Sequence, residues 1–183
     1  MAEAPESALR GGAAAPAALA WRDWLAVRGL TAAAAEASRL IAETPQGLVL
    51  DLPGPVGESN RYRLMPRGKV LLVPETDAGL YRGVSAALAA GNAVRVIWGE
   101  AESLPPGLPV EFRRELDATG CAIVLAEAKG EALLPIQSAI AALPGPVLPV
   151  LPLDQPFDML LSEVSLSINT AAAGGNASLM AIG

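Results

Sequence analysis

The residue types that most often carry catalysis are scarce in this chain of 183 residues. It contains one cysteine, Cys121, and no histidine, which excludes an internal disulfide, a His/Cys metal site and a histidine-based catalytic triad. Cys121 opens an apolar run, CAIVL, with no base beside it, so we expect a small buried side chain rather than an activated thiolate. We therefore predict no catalytic residue and no metal-binding residue.

The charged residues show no pattern suited to acid–base chemistry. Lys and Arg number 13 against 19 Asp and Glu, an acidic balance that disfavours nucleic acid as a partner. The arginines of NRYRLMPRGK (60–69) alternate with apolar residues, which favours an exposed face or a guard against edge pairing. A second charged group is interpreted as the solvated face of a helix over 108–120. Its members are Glu111, Arg113, Arg114, Glu115 and Asp117.

Two helices and a hairpin are predicted in the first third of the chain. Large apolar residues at helical spacing predict a helix over 17–27, and Thr31 is the expected N-cap of a second helix that ends before Thr44-Pro45. GLVLDLPGP (47–55) and NRYRLMPRG (60–68) then alternate beside turn formers, which predicts a β-hairpin flap.

From residue 69 onward, continuous apolar runs alternate with helical segments. This rhythm predicts an α/β fold with a Rossmann-like, doubly wound and mostly parallel sheet. The expected strands are 69–74, 93–98, 121–127 and 146–153, and the expected helices are 78–92, 108–120 and 130–145.

The two ends of the chain differ from this middle part. Residues 1–16 have too few large apolar side chains to fold and are predicted to be a disordered leader before a single domain over 17–183. That domain comprises the flap (about 47–68), the core (about 69–153) and a carboxy-terminal strand and docking tail (about 160–183). No apolar run is long enough for a membrane helix and no export signal is evident, so we expect a soluble, cytoplasmic protein.

Three segments carry a family resemblance. LPGPVGESN (52–60) and AALAAGNAVRVIWGE (86–100) resemble the nucleotide-binding half of the aldehyde dehydrogenase superfamily, and LSEVSLSINTAAAGGNASLMAIG (161–183) resembles the ending of the long proline utilization A proteins. The likeness is to their carboxy-terminal domain, and it implies an aldehyde-dehydrogenase-like fold of the NAD-binding type.

The chain departs from an active aldehyde dehydrogenase where the chemistry would lie. VPETDAGL (73–80) stands where the family has its oxyanion-binding asparagine loop, and Ile97 and Trp98 replace the Lys-Pro pair that holds the adenosine ribose. AEAKGEA (126–132) replaces the glycine-rich turn, and its acidic residues would repel phosphate. We therefore predict no cofactor in this domain, whereas the parent resembles an FAD- and NAD-dependent enzyme.

The resemblance implies a structural role. In the long family members, a proline dehydrogenase module passes its product through a tunnel to a semialdehyde dehydrogenase module, and the carboxy-terminal domain helps to wall off that tunnel. This chain would then be a non-catalytic lid whose partners are those two modules. Its flap and tail would form the interface, where glycines permit close backbone approach and asparagines satisfy main-chain groups. The predicted interface residues are Glu58, Asn60, Asn169, Thr170, Gly174, Gly175, Asn176 and Met180.

Two alternatives remain open at this level. The domain could retain NAD or another nucleotide as a regulatory ligand, although Ile97 and Trp98 count against it. It could also be an oligomerisation module in which flap and tail pair with a second copy, as aldehyde dehydrogenases dimerise.

Overall fold

The computed structural model describes residues 15–55, 57–99, 103–155 and 157–169. Two helices precede a β-hairpin, a parallel α/β region follows, and a long strand ends the described chain. The helices are α1 (Pro16–Val27), α2 (Thr31–Glu43), α3 (Asp77–Ala89) and α4 (Leu134–Ala141). The strands are β1 (Val49–Leu52), β2 (Glu58–Pro66), β3 (Lys69–Val73), β4 (Ala93–Ile97), β5 (Val110–Arg113), β6 (Ile123–Ala126), β7 (Val150–Pro152) and β8 (Leu161–Asn169).

The five-stranded sheet is parallel, with the order β5-β4-β3-β6-β7. Val70 and Leu72 face α1, α2 and α3 in the main hydrophobic core, whereas Leu71 points to the other face and packs with Ile140 of α4. Helices therefore cover both faces, because alternate residues of a strand project to opposite sides. The predicted doubly wound α/β fold is confirmed.

The helix predicted over 108–120 is wrong. The structure instead has the strand β5, whose Val110 and Phe112 lie beside Val94 and Val96 of β4 and pack on the core. In this short segment the alternation of apolar and charged residues, with a period of two, outweighs the helical preference of its charged residues. The connections from β4 to β5 and from β5 to β6 contain no helix in the part of the chain that the structure describes.

The first two helices form close to their predicted positions, with a difference at the start of each. Helix α1 begins at Pro16, which was assigned to the disordered leader, because proline is favourable in the first turn of a helix. Ala18, Trp21 and Leu25 recur at helical spacing and form the buried face of α1, which packs against α2 and α3. Thr31 is the first helical residue rather than the N-cap, and the cap position, Leu30, makes no side-chain hydrogen bond. The predicted Thr31 cap is therefore wrong by one position.

The second sheet is antiparallel and has the order β1-β2-β8. The β1–β2 pair is the predicted hairpin, with Val49 opposite Arg63 and Leu52 opposite Asn60. The predicted carboxy-terminal strand is confirmed as β8, which pairs along the whole of β2. Residues 1–14 of the predicted leader and residues 170–183 of the predicted tail lie outside the described residues.

None of the described helices combines the length and apolar character needed to cross a bilayer.

Candidate docking surface

The pairing of β2 with β8 brings three predicted interface residues to one end of the antiparallel sheet. Glu58 lies opposite Asn169, and Asn60 lies opposite Ser167. The Ser167 hydroxyl donates to Glu58 Oε1 at 2.6 Å and also contacts Asn60 Oδ1. The sheet therefore fixes Glu58 and Asn60 relative to the strand that leads into residue 170. The other predicted interface residues lie outside the described residues: Thr170, Gly174, Gly175, Asn176 and Met180.

One face of this sheet carries exposed apolar side chains. Asp51, Arg61 and Leu166 lie side by side across the three strands, so their side chains project to the same face. The other apolar members lie two or four residues from these positions along their own strands, which places them on that face too. The set, called the apolar face below, is Val49 (55% exposed), Met65 (39%), Leu166 (52%) and Ile168 (49%).

The arginines of the flap divide between this face and the interior. Arg61 and Arg63 are exposed on the apolar face, as predicted, and Arg61 Nε donates to Asp51 Oδ1 at 2.8 Å. Arg67, in the turn after β2, points inward and donates from Nη2 to the carbonyl of Leu161 at 3.2 Å. The apolar face therefore combines large apolar side chains with two cations and one acid.

A buried amide joins the antiparallel sheet to the parallel one. Asn92, which is 1% exposed, follows α3 and accepts from the Gly68 amide at 2.8 Å while donating to the Leu160 carbonyl at 3.0 Å. Gly68 precedes β3 and Leu160 precedes β8, so one side chain connects the starts of strands in both sheets. The sequence predicts Asn92 at the end of a helix and within a family motif, but it does not predict this connection between the sheets. The family motif that contains Asn92 was the signal that could have revealed this second role.

The charged group interpreted as a helical face instead surrounds a buried arginine. Arg95 in β4, with its side chain 8% exposed, donates to Glu111 Oε1 at 2.6 Å and forms an ion pair with Asp117 at 2.9 Å. Lys69 Nζ donates to the same Glu111 oxygen at 3.0 Å, and Arg113 pairs with Glu111 Oε2. Hydrogen bonds from Lys69 and Arg95 outweigh the effect of burial and hold the pKa of Glu111 below its usual range. The solvated-face interpretation is wrong for Glu111, because β5 places it beside β4. The predicted helix is absent, but Arg113, Arg114 and Glu115 are exposed, as that interpretation expected.

Cys121 is buried, as the sequence predicts. Burial raises the pKa of its thiol, with Arg95 and Lys69 opposing the shift, so the neutral thiol is favoured. Among the described residues, no group of three or more His, Cys, Asp or Glu side chains is arranged to hold a metal ion. The cysteine therefore behaves as a small core residue.

A nucleotide would bind at the carboxyl edge of the parallel sheet, and the residues at this edge differ in type from those that bind a nucleotide. Ile97 ends β4 and Trp98 follows it, and both are half-buried and pack on the hydrophobic clusters. Neither side chain can provide the charged hydrogen bond that a lysine would give to a ribose hydroxyl. These two positions lie at the carboxyl edge of the sheet, where doubly wound folds bind ligands.

Comparison with known proteins connects this architecture to one group. No family model matches the chain. Over 186 residues it is 43% identical to bifunctional protein PutA of Rhizobium meliloti, an alignment that covers 92% of this chain. The chain is homologous to PutA. It is also 32% identical to PutA of Escherichia coli (strain K12) over 90% of its length.

The chain spans only 15% of the Rhizobium PutA and 13% of the Escherichia protein. A solved structure of proline utilization A from Bradyrhizobium japonicum is similar at 25% identity with a TM-score of 0.46, covering 66% of this chain and 14% of that one. The sequence identity to the two PutA proteins confirms the resemblance to proline utilization A as homology. Its assignment to the carboxy-terminal domain remains a prediction.

Proposed function

We propose that this chain is a non-catalytic lid of a proline-catabolic PutA enzyme. In this proposal, it packs on the semialdehyde dehydrogenase module and helps to seal the tunnel through which the intermediate passes from the proline dehydrogenase module. FAD and NAD would be bound by those modules and not by this chain. The observation that carries the proposal is the apolar face of the antiparallel sheet.

The apolar face supports a docking role because four exposed apolar side chains share one face of a single sheet, around Arg61 and Arg63 of the central strand. Single exposed apolar residues are common on protein surfaces, whereas several on one face are typical of an interaction site. Arg61 and Arg63 on the same face give the contact polar partners and therefore orientation. The homology to PutA suggests the partner, namely other modules of the same enzyme.

The exposed edge of β8 supports the same proposal. Within the described residues β8 pairs only with β2, so the backbone groups along its other side can accept a further strand. Its last residue, Asn169, leads directly into the segment that contains Thr170, Gly174, Gly175, Asn176 and Met180. We propose that this segment continues the contact begun by β8.

The proposal is tested by measuring binding of the full 183-residue chain to a PutA protein truncated to remove the homologous segment. Leu166→Glu places a charge on the apolar face, where the side chain is 52% exposed and folding is little affected. We expect this change to weaken binding by about tenfold or more, equivalent to about 1.4 kcal/mol or more.

The matched control is Val147→Glu, at a residue that is 90% exposed and lies outside the antiparallel sheet. It introduces the same charge and should leave the dissociation constant unchanged. Equal affinity of the wild type and Leu166→Glu would contradict docking through the apolar face.

Self-association is a second candidate function, favoured by the same exposed edge of β8. Two copies could pair β8 with β8, since an antiparallel pair of identical edges is compatible with two-fold symmetry. Sedimentation of the isolated chain would then show a dimer that Leu166→Glu dissociates. A monomer at all concentrations would exclude this candidate and leave the lid proposal unaffected.

A further inference from the structure

The parallel sheet has a switch point between β3 and β6. The strand order reverses there, because β4 and β5 continue to one side of β3, whereas β6 and β7 lie on the other. In doubly wound folds this position, at the carboxyl ends of the strands, is where ligand phosphates meet the amino terminus of a helix. Here that helix is α3, which has 13 residues and follows β3 directly.

The amino terminus of α3 already holds an anion, and it comes from the chain itself. Glu127 follows β6, and its Oε2 accepts from the amides of Glu75 and Thr76, each at 2.8 Å. Its Oε1 accepts from the Thr76 hydroxyl at 2.6 Å. That hydroxyl oxygen in turn accepts from the Gly79 amide at 3.0 Å, so the carboxylate holds the N-cap residue of the helix in place.

The position of this carboxylate depends on the absence of a side chain at Gly79. A Cβ atom at residue 79 would lie 1.8 Å from Glu127 Oε2. Glycine is otherwise unfavourable inside a helix, where it costs about 0.8–1.0 kcal/mol relative to alanine. Its presence here is explained by the close approach of the Glu127 carboxylate.

An open cleft of about 260 Å³ adjoins the carboxylate. Arg82 and Lys129 line it, but Lys129 is held by Asp154 at 2.5 Å and Arg82 lies 3.8 Å from Glu36. The cations that would attract a phosphate are thus already near internal acids, just as the amides of Glu75 and Thr76, immediately before α3, are engaged by Glu127.

We propose that Glu127 is a built-in substitute for a phosphate group: its carboxylate occupies the anion position at the switch point and thereby prevents nucleotide phosphates from binding there. The assignment does not depend on the lid role, since it concerns only the switch point of the parallel sheet. The sequence predicts that the acidic residues of segment 126–132 together repel phosphate. In this proposal, Glu127 alone excludes phosphate by occupying its position.

The first test compares Glu127→Ala with the wild type in thermal melts of the full chain, with inorganic pyrophosphate titrated against sodium chloride of equal ionic strength. Removing the carboxylate frees two amides and the Thr76 hydroxyl, so we expect a lower Tm and a saturable rise of about 2–4 °C on adding pyrophosphate. The wild type should show no rise beyond that in chloride.

Glu131→Gln is the matched control, because it removes an exposed acid from the same segment without touching α3. It should behave as the wild type does. A pyrophosphate-dependent rise of similar size in the wild type or in Glu131→Gln would overturn the proposal, and so would the absence of a rise in Glu127→Ala.

A double-mutant cycle provides an independent test and requires only mild changes. Gly79→Ala pushes the flexible end of Glu127 away from the helix while leaving the carboxylate in the chain. Glu127→Gln should therefore lower Tm in the wild-type background and have a much smaller effect in the Gly79→Ala background. Equal effects in both backgrounds would contradict the seating of the carboxylate against Gly79, even if Glu127→Ala failed to fold.

Discussion

Buried polar side chains at a few positions connect elements that are distant in the chain. Asn92 joins the residues before β3 and β8, and Arg95 joins β4 to β5 and to the loop that contains Asp117. Each is less than 10% exposed, so each depends on its partners to compensate for lost hydration. The stability of the fold should therefore respond strongly to changes at these residues.

Asn92→Ala should lower the free energy of unfolding by about 1–3 kcal/mol, because it removes both hydrogen bonds of a buried side chain. These bonds join Asn92 to the Gly68 amide and to the Leu160 carbonyl. Chemical denaturation with urea measures the difference. Gln137→Ala removes an exposed amide from α4 and should change stability by less than about 0.5 kcal/mol. Similar midpoints for both variants would show that Asn92 does not hold the two sheets together.

Glu111→Gln should destabilise the chain by about 2 kcal/mol at neutral pH, since it removes a charge that balances the buried guanidinium of Arg95. The pKa of Glu111 in the folded chain lies below its ordinary value of 4.5, through hydrogen bonds from Lys69 and then Arg95. The carboxylate therefore stabilises the fold above pH 4.5, and this contribution is lost as the pH falls through the folded pKa.

Urea midpoints measured from pH 7 downward test this expectation. The difference between wild type and Glu111→Gln should shrink below pH 4.5. Glu115→Gln, which alters an exposed carboxyl near the same loop, serves as the control and should have little effect at any pH. If the difference in urea midpoint between wild type and Glu111→Gln stays constant as the pH falls, the charge of Glu111 does not stabilise the fold.

At the scale of elements, two helices end in the same motif with different surroundings. Gly29 follows α1 at φ +76° and Gly91 follows α3 at φ +77°, and in each case the next residue bonds back to the fifth residue before it. A Cβ at residue 29 would meet nothing within 4 Å, whereas one at residue 91 would lie 2.8 Å from Pro66 Cγ at the end of β2. The two sheets are thus joined by a close contact as well as by Asn92.

Two substitutions separate the cost of the left-handed backbone from the cost of the contact with Pro66. They are Gly29→Ala and Gly91→Ala. Gly29→Ala carries only the left-handed backbone cost of about 1–2 kcal/mol. Gly91→Ala carries the same cost and must also displace Pro66, for about 1–3 kcal/mol more. Urea unfolding of the two variants measures the difference, and equal destabilisation would contradict the close packing of α3 against β2.

Sequence reasoning located most elements because their patterns are strong and local. The apolar runs of β3, β4 and β6, and the helix α3 with its terminal Gly-Asn, each follow from one continuous segment. The strand β5 was missed because four residues in a charged segment acquire their conformation from pairing with β4.

The sites were harder to predict for the same reason. Glu127 was recognised as an acid in the wrong place for phosphate, but its contact with Gly79 joins segments 48 residues apart and is visible only in the fold. The ion pairs of Arg95 were hidden by the incorrect helix over 108–120. The apolar face depends on the register of three strands, which the alternation of each strand alone does not define.

At the scale of the whole molecule, the chain combines two sheets with different roles. The parallel sheet carries the hydrophobic core and resembles a nucleotide-binding fold whose ligand position is filled by Glu127. The antiparallel sheet is anchored to it by Asn92 and presents the apolar face outward. In the proposed lid, the first sheet is a rigid support and the second makes the contact with the dehydrogenase modules.

The most direct test of the lid is coupled activity. The full chain is added to a PutA protein truncated to remove the homologous segment, and proline oxidation and NADH production from proline are recorded together. The account predicts that the chain binds, leaves proline oxidation unchanged and restores NADH production, and that Leu166→Glu fails to restore it. Full NADH production by the truncated protein alone, or binding of the chain with no gain in NADH, would contradict the role of a tunnel-sealing lid.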